Sequence, residues 1–264
     1  MIIVKVGGGK DINWDYIAQD TAALKEPVVI VHGANEVFTE ISEKFGKAER
    51  MIVSPSGHVS RYTDLETMNL LTMVYSGLMN KKIVACLQKY GVNAVGLTGA
   101  DGKLWLGKRK KAILAKDGAK TKLVTDSLTG KVESVNTRLI NVLLEGGFTP
   151  VITIPAITTS GELINVDNDR ALAVMARDLQ VKTLVILFEA PGLMEKLDDP
   201  SSKISHINKG ELKKFLDNFE GRIKKKLLGV SEATNAGVTN IYFGDGRIIN
   251  PISSALKGKG TTIN

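Results

Sequence analysis

One lysine stands inside an otherwise apolar run, Ile2-Ile3-Val4-Lys5-Val6, and three glycines, Gly7-Gly8-Gly9, follow at once. Glycines at a strand end let backbone N–H groups come close to an anion, and a lysine beside them adds a charge. A simple tight turn accounts for the triplet equally well, and neither the G-x-x-x-x-G-K-S/T nor the G-x-G-x-x-G phosphate signature occurs at this turn. A second small-residue turn, His32-Gly33-Ala34-Asn35, follows the next apolar run and opens a helix, again a place where an anion can be held. Two such turns at neighbouring strand ends would hold two anionic groups against each other. In Ser60-Arg61-Tyr62-Thr63-Asp64 an arginine precedes a helix, where its fork suits a carboxylate; a surface arginine beside a helix cap is the plainer reading. Asn165-Val166-Asp167-Asn168-Asp169-Arg170 gathers carboxylates and amides at a helix start, more than N-capping requires. In Gly221-Arg222-Ile223-Lys224-Lys225-Lys226 the apolar pair Leu227-Leu228 follows, which turns Lys226 inward and leaves its two neighbours solvated. Cys86 is the single cysteine, and the three histidines, His32, His58 and His206, have no metal-ligand spacing.

These residues need elements to carry them. Short apolar, β-branched runs at Ile2–Val6, Val28–Val31, Val151–Ile154, Thr183–Leu187 and Asn240–Phe243 predict strands buried on both faces of a parallel sheet. Helical patterns lie between them. The clearest starts at Asp64 and aligns Leu65, Met68, Thr72, Tyr75, Met79, Ile83 and Cys86, ending at Gly91. Met51–Val59, with Pro55-Ser56-Gly57, and Lys103–Val124, with Asp117-Gly118, predict two hairpins standing off the main sheet. The expected architecture is a three-layer αβα sandwich around a mainly parallel open sheet with two inserted hairpins, in which ligands sit at the carboxyl ends of the strands. With 264 residues the chain is read as one domain, 1–264.

Hydrophobic residues make up 43% and charged residues 24%, so the chain is neither disordered nor collagen-like, and no signal peptide or membrane-spanning segment is expected. The lone cysteine suits a reducing cytoplasm. The net charge is +7, and the stretch from Lys108 to Lys122 carries seven positive charges and one negative, a net +6. The basicity is therefore a local patch, either a solvated hairpin or a docking site for an acidic partner. Nucleic acid is disfavoured, since no aromatics interleave the patch.

In their order and spacing, Lys5-x-Gly7-Gly8, Val31-His32-Gly33, Ser60-Arg61-Tyr62-Thr63, Gly96-Leu97-Thr98-Gly99, Asn165-x-Asp167-Asn168-Asp169 and Gly221-x-x-x-x-Lys226 resemble the amino acid kinase family, in its N-acetylglutamate kinase branch, along nearly the whole chain. The wording from Ser54 to Thr63 looks most like the members that phosphorylate aminoadipate or glutamate held through its amine on the small acidic carrier LysW, in lysine and arginine biosynthesis. The resemblance implies roles. Lys5 and Lys226 match the lysines that stabilise the transferring phosphoryl group, and Asp169 holds both. Arg61 and Asn165 bind carboxylate ends of the substrate, and Gly33, Ala34 and Asn35 hold the reacting carboxylate. Gly7 and Gly8 receive the nucleotide phosphates. Glu189 and Gly192 lie where nucleotide contacts are expected, although the family's Ser/Thr-Asp pair is absent from Leu187-Phe188-Glu189-Ala190-Pro191-Gly192.

ATP and Mg²⁺ are implied, with no metal ligand from protein side chains. Residues 1–160 are implied as the substrate half and 161–264 as the nucleotide half. Lys108, Arg109, Lys110 and Lys111 are read as carrier-docking. No nucleic acid or membrane partner is expected, and a cytoplasmic homodimer is. A kinase acting on free N-acetylglutamate is the second reading. A non-catalytic nucleotide-binding regulator is the third. The missing catalytic His or Cys agrees with the implied chemistry, because a carboxylate of pKa about 4.3 is already ionised at pH 7 and needs no base.

Overall fold

The apolar runs form the buried strands expected of them, because each side chain has a helix layer to pack on whichever way it points. The computed structural model describes every residue except 56, 58, 118, 119, 197, 198, 219 and 220, and the side chains of 117, 200, 217, 218, 221–223 and 225. Eight strands make the main sheet: β1 (Ile2–Val6), β2 (Val28–His32), β3 (Ala94–Thr98), β4 (Thr149–Thr153), β5 (Thr183–Phe188), β6 (His206–Ile207), β7 (Asn240–Asp245) and β8 (Thr261–Ile263). Their order is β6-β8-β7-β5-β1-β2-β4-β3, and only the β7–β8 pair is antiparallel. The helices are α1 (Trp14–Ala23), α2 (Asn35–Lys44), α3 (Leu65–Lys89), α4 (Thr137–Glu145), α5 (Asn168–Asp178), α6 (Leu212–Asn218), α7 (Gly221–Asn235) and α8 (Pro251–Leu256).

Alternation along β1 divides the core. Ile2, Val4 and Val6 face the layer holding α1 and α8, whereas Ile3 faces the layer holding α2, α5 and α7. Lys5, two residues after Ile3, therefore points to that second layer. In register, Val6 lies opposite His32 on one side and Leu187 on the other, so the ends of β1, β2 and β5 open together. The chain runs outward from β1 through β2, and from β5 through β7 in the opposite direction. The crevice where such a sheet reverses its winding lies between β1 and β5.

Two expectations change. The helix does start at Asp64, whose carboxylate accepts the Thr67 N–H at 2.7 Å. Its middle, Met73–Met79, is however a π-helix. The wider turn breaks the 3.6-residue register, so the buried face runs through Met68, Leu71, Val74, Tyr75, Ile83 and Leu87, while Leu65 is exposed. The first half of α3 joins one core layer and the second half the other. By length and composition α3 is apolar enough to cross a membrane, yet these side chains are packed inside the fold.

The second hairpin is shorter than Lys103–Val124. Trp105–Arg109 instead joins a four-stranded sheet with Gly130–Val135, Ala156–Thr158 and Leu163–Ile164, drawn in by the fully buried Leu104 and Trp105. The hairpin itself pairs Ile113–Asp117 with Lys120–Val124. It packs on the first hairpin, Met51–Val53 with Val59–Arg61, through Ile52, Tyr62, Ile113, Ala115 and Val124. Of the turn residues expected for these hairpins, Ser56 and Gly118 lie outside the described residues, as does His58.

Candidate active site

Lys5 is the charged residue in a buried strand, and burying an ammonium is costly without a partner. Its partner is Asp169: Nζ and Oδ1 are 2.8 Å apart, with side chains only 9% and 17% exposed. Asp169 reaches Lys5 because Asp167 caps α5, its carboxylate accepting the Asp169 N–H at 2.9 Å. Helix α7 lies close against α5 at Gly229, where a Cβ would come within 3.1 Å of the Asp169 Cβ and carbonyl oxygen. Lys226, three residues earlier on α7, is half-buried, and its Nζ lies 4.8 Å from the centre of the Phe188 ring at the end of β5. Asp169, Ile186, Lys226, Gly229 and Val230 line one narrow cleft. Three distant segments are thus brought together: Lys5 pairs with Asp169, and Asp169 shares a cleft with Lys226. Lys224, expected to be solvated, is also half-buried, and the Lys225 side chain lies outside the described residues.

The two small-residue turns meet as well. A Cβ on Gly8 would stand 2.5 Å from the backbone nitrogens of both Ala34 and Asn35, so only glycine permits this contact. The Glu36 N–H donates to Gly8 O at 3.1 Å, and the Glu36 carboxylate accepts the Lys10 N–H at 2.8 Å. Beneath the second turn His32 is fully buried. Burial lowers its pKa to about 4, so the ring is neutral at pH 7. Asn80, just past the π-helical segment, lies 3.0 Å from Nε2 and donates to Val151 O at 3.0 Å. Asn168 and Thr153 both donate to the His32 carbonyl, at 3.1 and 3.0 Å. The ends of β2, β4 and α5 are thereby tied to one carbonyl.

On the other side of this turn, Arg61 is 12% exposed, its Nε donating to Glu49 at 2.8 Å and its guanidinium lying 4.2 Å from the centre of the Phe38 ring. The Tyr75 hydroxyl donates to Asn35 Oδ1 at 2.6 Å. Asn165 donates to Thr63 Oγ1 at 3.0 Å, and Thr63 donates to the Arg61 carbonyl at 3.1 Å, so Arg61 and Asn165 sit on one hydrogen-bonded chain.

Glu189 lies against the glycine turn, accepting the Asp11 N–H at 2.8 Å. Gly192 instead packs against Thr261 of β8. In the basic stretch Lys108 and Lys111 are exposed. Arg109 is bonded to Glu162 at 2.6 Å and to the Ser127 and Thr125 carbonyls. Lys110 is half-buried; burial and the nearby Arg170 charge hold its ammonium below the ordinary lysine value. The reading of the sequence missed Glu49 and Asn80, which stand in no local pattern that marks them, and took Tyr75 only as part of the helical stripe and Phe188 only as part of the 187–192 stretch.

Two lysines with a carboxylate near a glycine-rich strand end can neutralise phosphoryl oxygens. The amino acid kinase family model matches residues 1–245. The chain belongs to the amino acid kinase family. A LysW-aminoadipate kinase of Thermus thermophilus is 41% identical, covering 100% of each chain. One of Deinococcus radiodurans is 42% identical over 100% of this chain and 91% of its own. A LysW-aminoadipate/LysW-glutamate kinase of Saccharolobus islandicus is 33% identical over 100% and 99%. Among solved structures, an N-acetylglutamate synthase from Neisseria gonorrhoeae superposes with a TM-score of 0.79 at 19% identity, over 99% of this chain and 58% of the synthase. An isopentenyl phosphate kinase superposes at 0.64 and 17% identity over the full length of both chains. These two share the fold.

Proposed function

We propose that this kinase transfers the γ-phosphoryl group of ATP to the distal side-chain carboxylate of aminoadipate or glutamate carried, through its amine, on an acidic LysW-type protein. The observation that carries the reading is the Lys5–Asp169 ion pair at the glycine turn, with Lys226 on the same cleft. A carboxylate oxygen attacks the γ-phosphorus and the bond to the β–γ bridging oxygen breaks, leaving an acyl phosphate and ADP. No proton moves. The barrier therefore falls mainly by positioning and by neutralising the phosphoryl oxygens. Lys5 and Lys226 do the latter, and Asp169 keeps Lys5, and through the cleft Lys226, from swinging away.

Gly7 and Gly8 receive the nucleotide phosphates, whose close approach the bare backbone permits, and Glu189 braces the same turn from β5. Gly33, Ala34 and Asn35 hold the reacting carboxylate against them, while Arg61 and Asn165 take the substrate's other end. Residues 1–160 are the substrate half and 161–264 the nucleotide half, in keeping with β1–β4 and β5–β8 lying on opposite sides of residue 160. Among the described residues no group of three or more His, Cys, Asp or Glu side chains is placed to hold a metal. Magnesium bound to the ATP phosphates would add charge neutralisation there.

The basic hairpin packs on the hairpin that carries Arg61, and this supports an acidic carrier approaching from that side. The lysines free to meet it are Lys108, Lys111, Lys116, Lys120 and Lys122, all exposed. The same reading makes the protein a cytoplasmic homodimer, with the outward Leu65 and Met73 of α3 as the place to look for pairing. Trapping the acyl phosphate with hydroxylamine tests the whole reading. Carrier-linked aminoadipate or glutamate should yield hydroxamate with ATP, and free N-acetylglutamate far less. Equal yields from the free substrate would favour the N-acetylglutamate kinase reading instead.

A further inference from the structure

An arginine that reads a carboxylate must present its fork in one orientation, yet its stem has many rotamers and a strongly buried charge needs an answering one. Arg61 meets both demands through Glu49. One carboxylate oxygen accepts from Arg61 Nε at 2.8 Å, and the other accepts from Thr39 Oγ1 on α2. Glu49 is itself only 18% exposed. Phe38, also on α2, lies under the guanidinium, and Tyr75 of α3, a neighbour of Arg61, donates to Asn35 Oδ1. Nε carries a single proton, so with Glu49 engaged only the terminal nitrogens remain for another group. The neighbouring Tyr75 is itself bonded to Asn35 of the Gly33–Asn35 turn.

We propose that Glu49 is a positioning residue: it fixes the fork of Arg61 so that its terminal nitrogens, and not Nε, meet the substrate carboxylate, and it compensates the arginine while the site is empty. The inference rests on the reading of Arg61 as the substrate-binding arginine. Glu49 touches no reacting atom. It acts by holding a hairpin residue to α2, the helix that begins at the turn for the reacting carboxylate. It therefore sets the distance between the two ends of the substrate, and with it the preference between a five-carbon and a six-carbon amino diacid.

The test is a double-mutant cycle on the full-length chain, with carrier-linked aminoadipate and carrier-linked glutamate as the varied substrates. Arg61→Ala should raise KM for both while KM for ATP stays within about twofold. Glu49→Ala should raise KM for carrier-linked substrate about tenfold, the size of one lost charge-assisted contact, and should change the aminoadipate-to-glutamate ratio of kcat/KM. Glu49→Gln retains an acceptor for Nε and should recover most of the loss; thermal unfolding of each variant identifies any that fail to fold. In the Arg61→Ala background, Glu49→Ala should add nothing. An additive effect, or an unchanged substrate KM and ratio in folded Glu49→Ala, overturns the role of Glu49 and leaves Arg61 standing. An unchanged substrate KM in Arg61→Ala overturns the reading of Arg61, and the role of Glu49 falls with it.

Discussion

At the scale of single residues, the proposed chemistry is tested by which lysine of α7 it needs. Lys224 and Lys226 are both half-buried, but Lys226 lines the cleft with Asp169. Lys226→Ala should lower kcat by about 10²–10³, the loss seen when one donor to a developing anion is removed, with little change in KM. Lys224→Ala should stay within about threefold, and initial rates at saturating ATP distinguish the two. Equal losses would show that the cleft does not select between them. Gly8 makes a second residue-scale prediction. An alanine there puts its Cβ 2.5 Å from two backbone nitrogens that no rotamer change can move. Gly8→Ala should cost on the order of 1–3 kcal/mol in urea unfolding, as overpacking does, and should slow turnover by separating the two anion turns.

At the scale of elements, the buried His32 links β2, the π-helical bend in α3 and β4. Its pKa is about 4 in the fold, against about 6.5 when unfolded, because burial disfavours the charged ring. Below pH 6.5 the unfolded chain takes up a proton that the folded chain refuses. Stability from this group is thus complete above about pH 6.5, declines as the pH falls, and is lost by about pH 4. Between pH 7 and pH 5 the loss is about 2 kcal/mol. His32→Gln removes the titration, so urea midpoints measured at both pH values should converge for the variant relative to the parent. A parallel pH dependence in the two proteins would mean that the ring is solvated.

At the scale of the molecule, charge is the property to test. Lys111, Lys116, Lys120 and Lys122 are exposed on or beside one hairpin, whereas Arg109 is committed to Glu162. Replacing these four lysines with Gln removes four of the seven net positive charges. Exposed charges mainly steer encounter and are screened within about 8–10 Å in ordinary salt. kcat/KM on carrier-linked substrate should therefore fall several-fold at low ionic strength, and the gap to the parent should close in high salt. Activity on a short uncharged mimic should not change. If salt dependence survives the substitutions, the hairpin is not the docking surface.

Much of this was legible along the chain, for a physical reason. β1, β2, β4, β5 and β7 are read from their apolar runs because a strand buried on both faces admits almost nothing else. A lysine in such a strand, a surplus of carboxylates at a helix start and a lysine ahead of an apolar pair are each locally odd, but the roles proposed for Lys5, Asp169 and Lys226 come from the family resemblance. β3 escaped notice, since Ala94–Thr98 contains a glycine and only one β-branched apolar residue, and it lies at the sheet edge. The π-helical bend was invisible too, because a widened turn leaves no mark in composition; it follows from one helix having to pack in two core layers. Glu49 could not be singled out in Ala48-Glu49-Arg50, an ordinary polar loop sequence. Its partners, Thr39 on α2 and Arg61 on a hairpin strand, are ten and twelve residues away. The sequence marks Lys5 as a charge carried into the core, because the apolar run around it admits no other surroundings. Only the tertiary structure decides which charge it meets, because Lys5 and Asp169 are 164 positions apart and nothing but the winding of the sheet brings them within 2.8 Å.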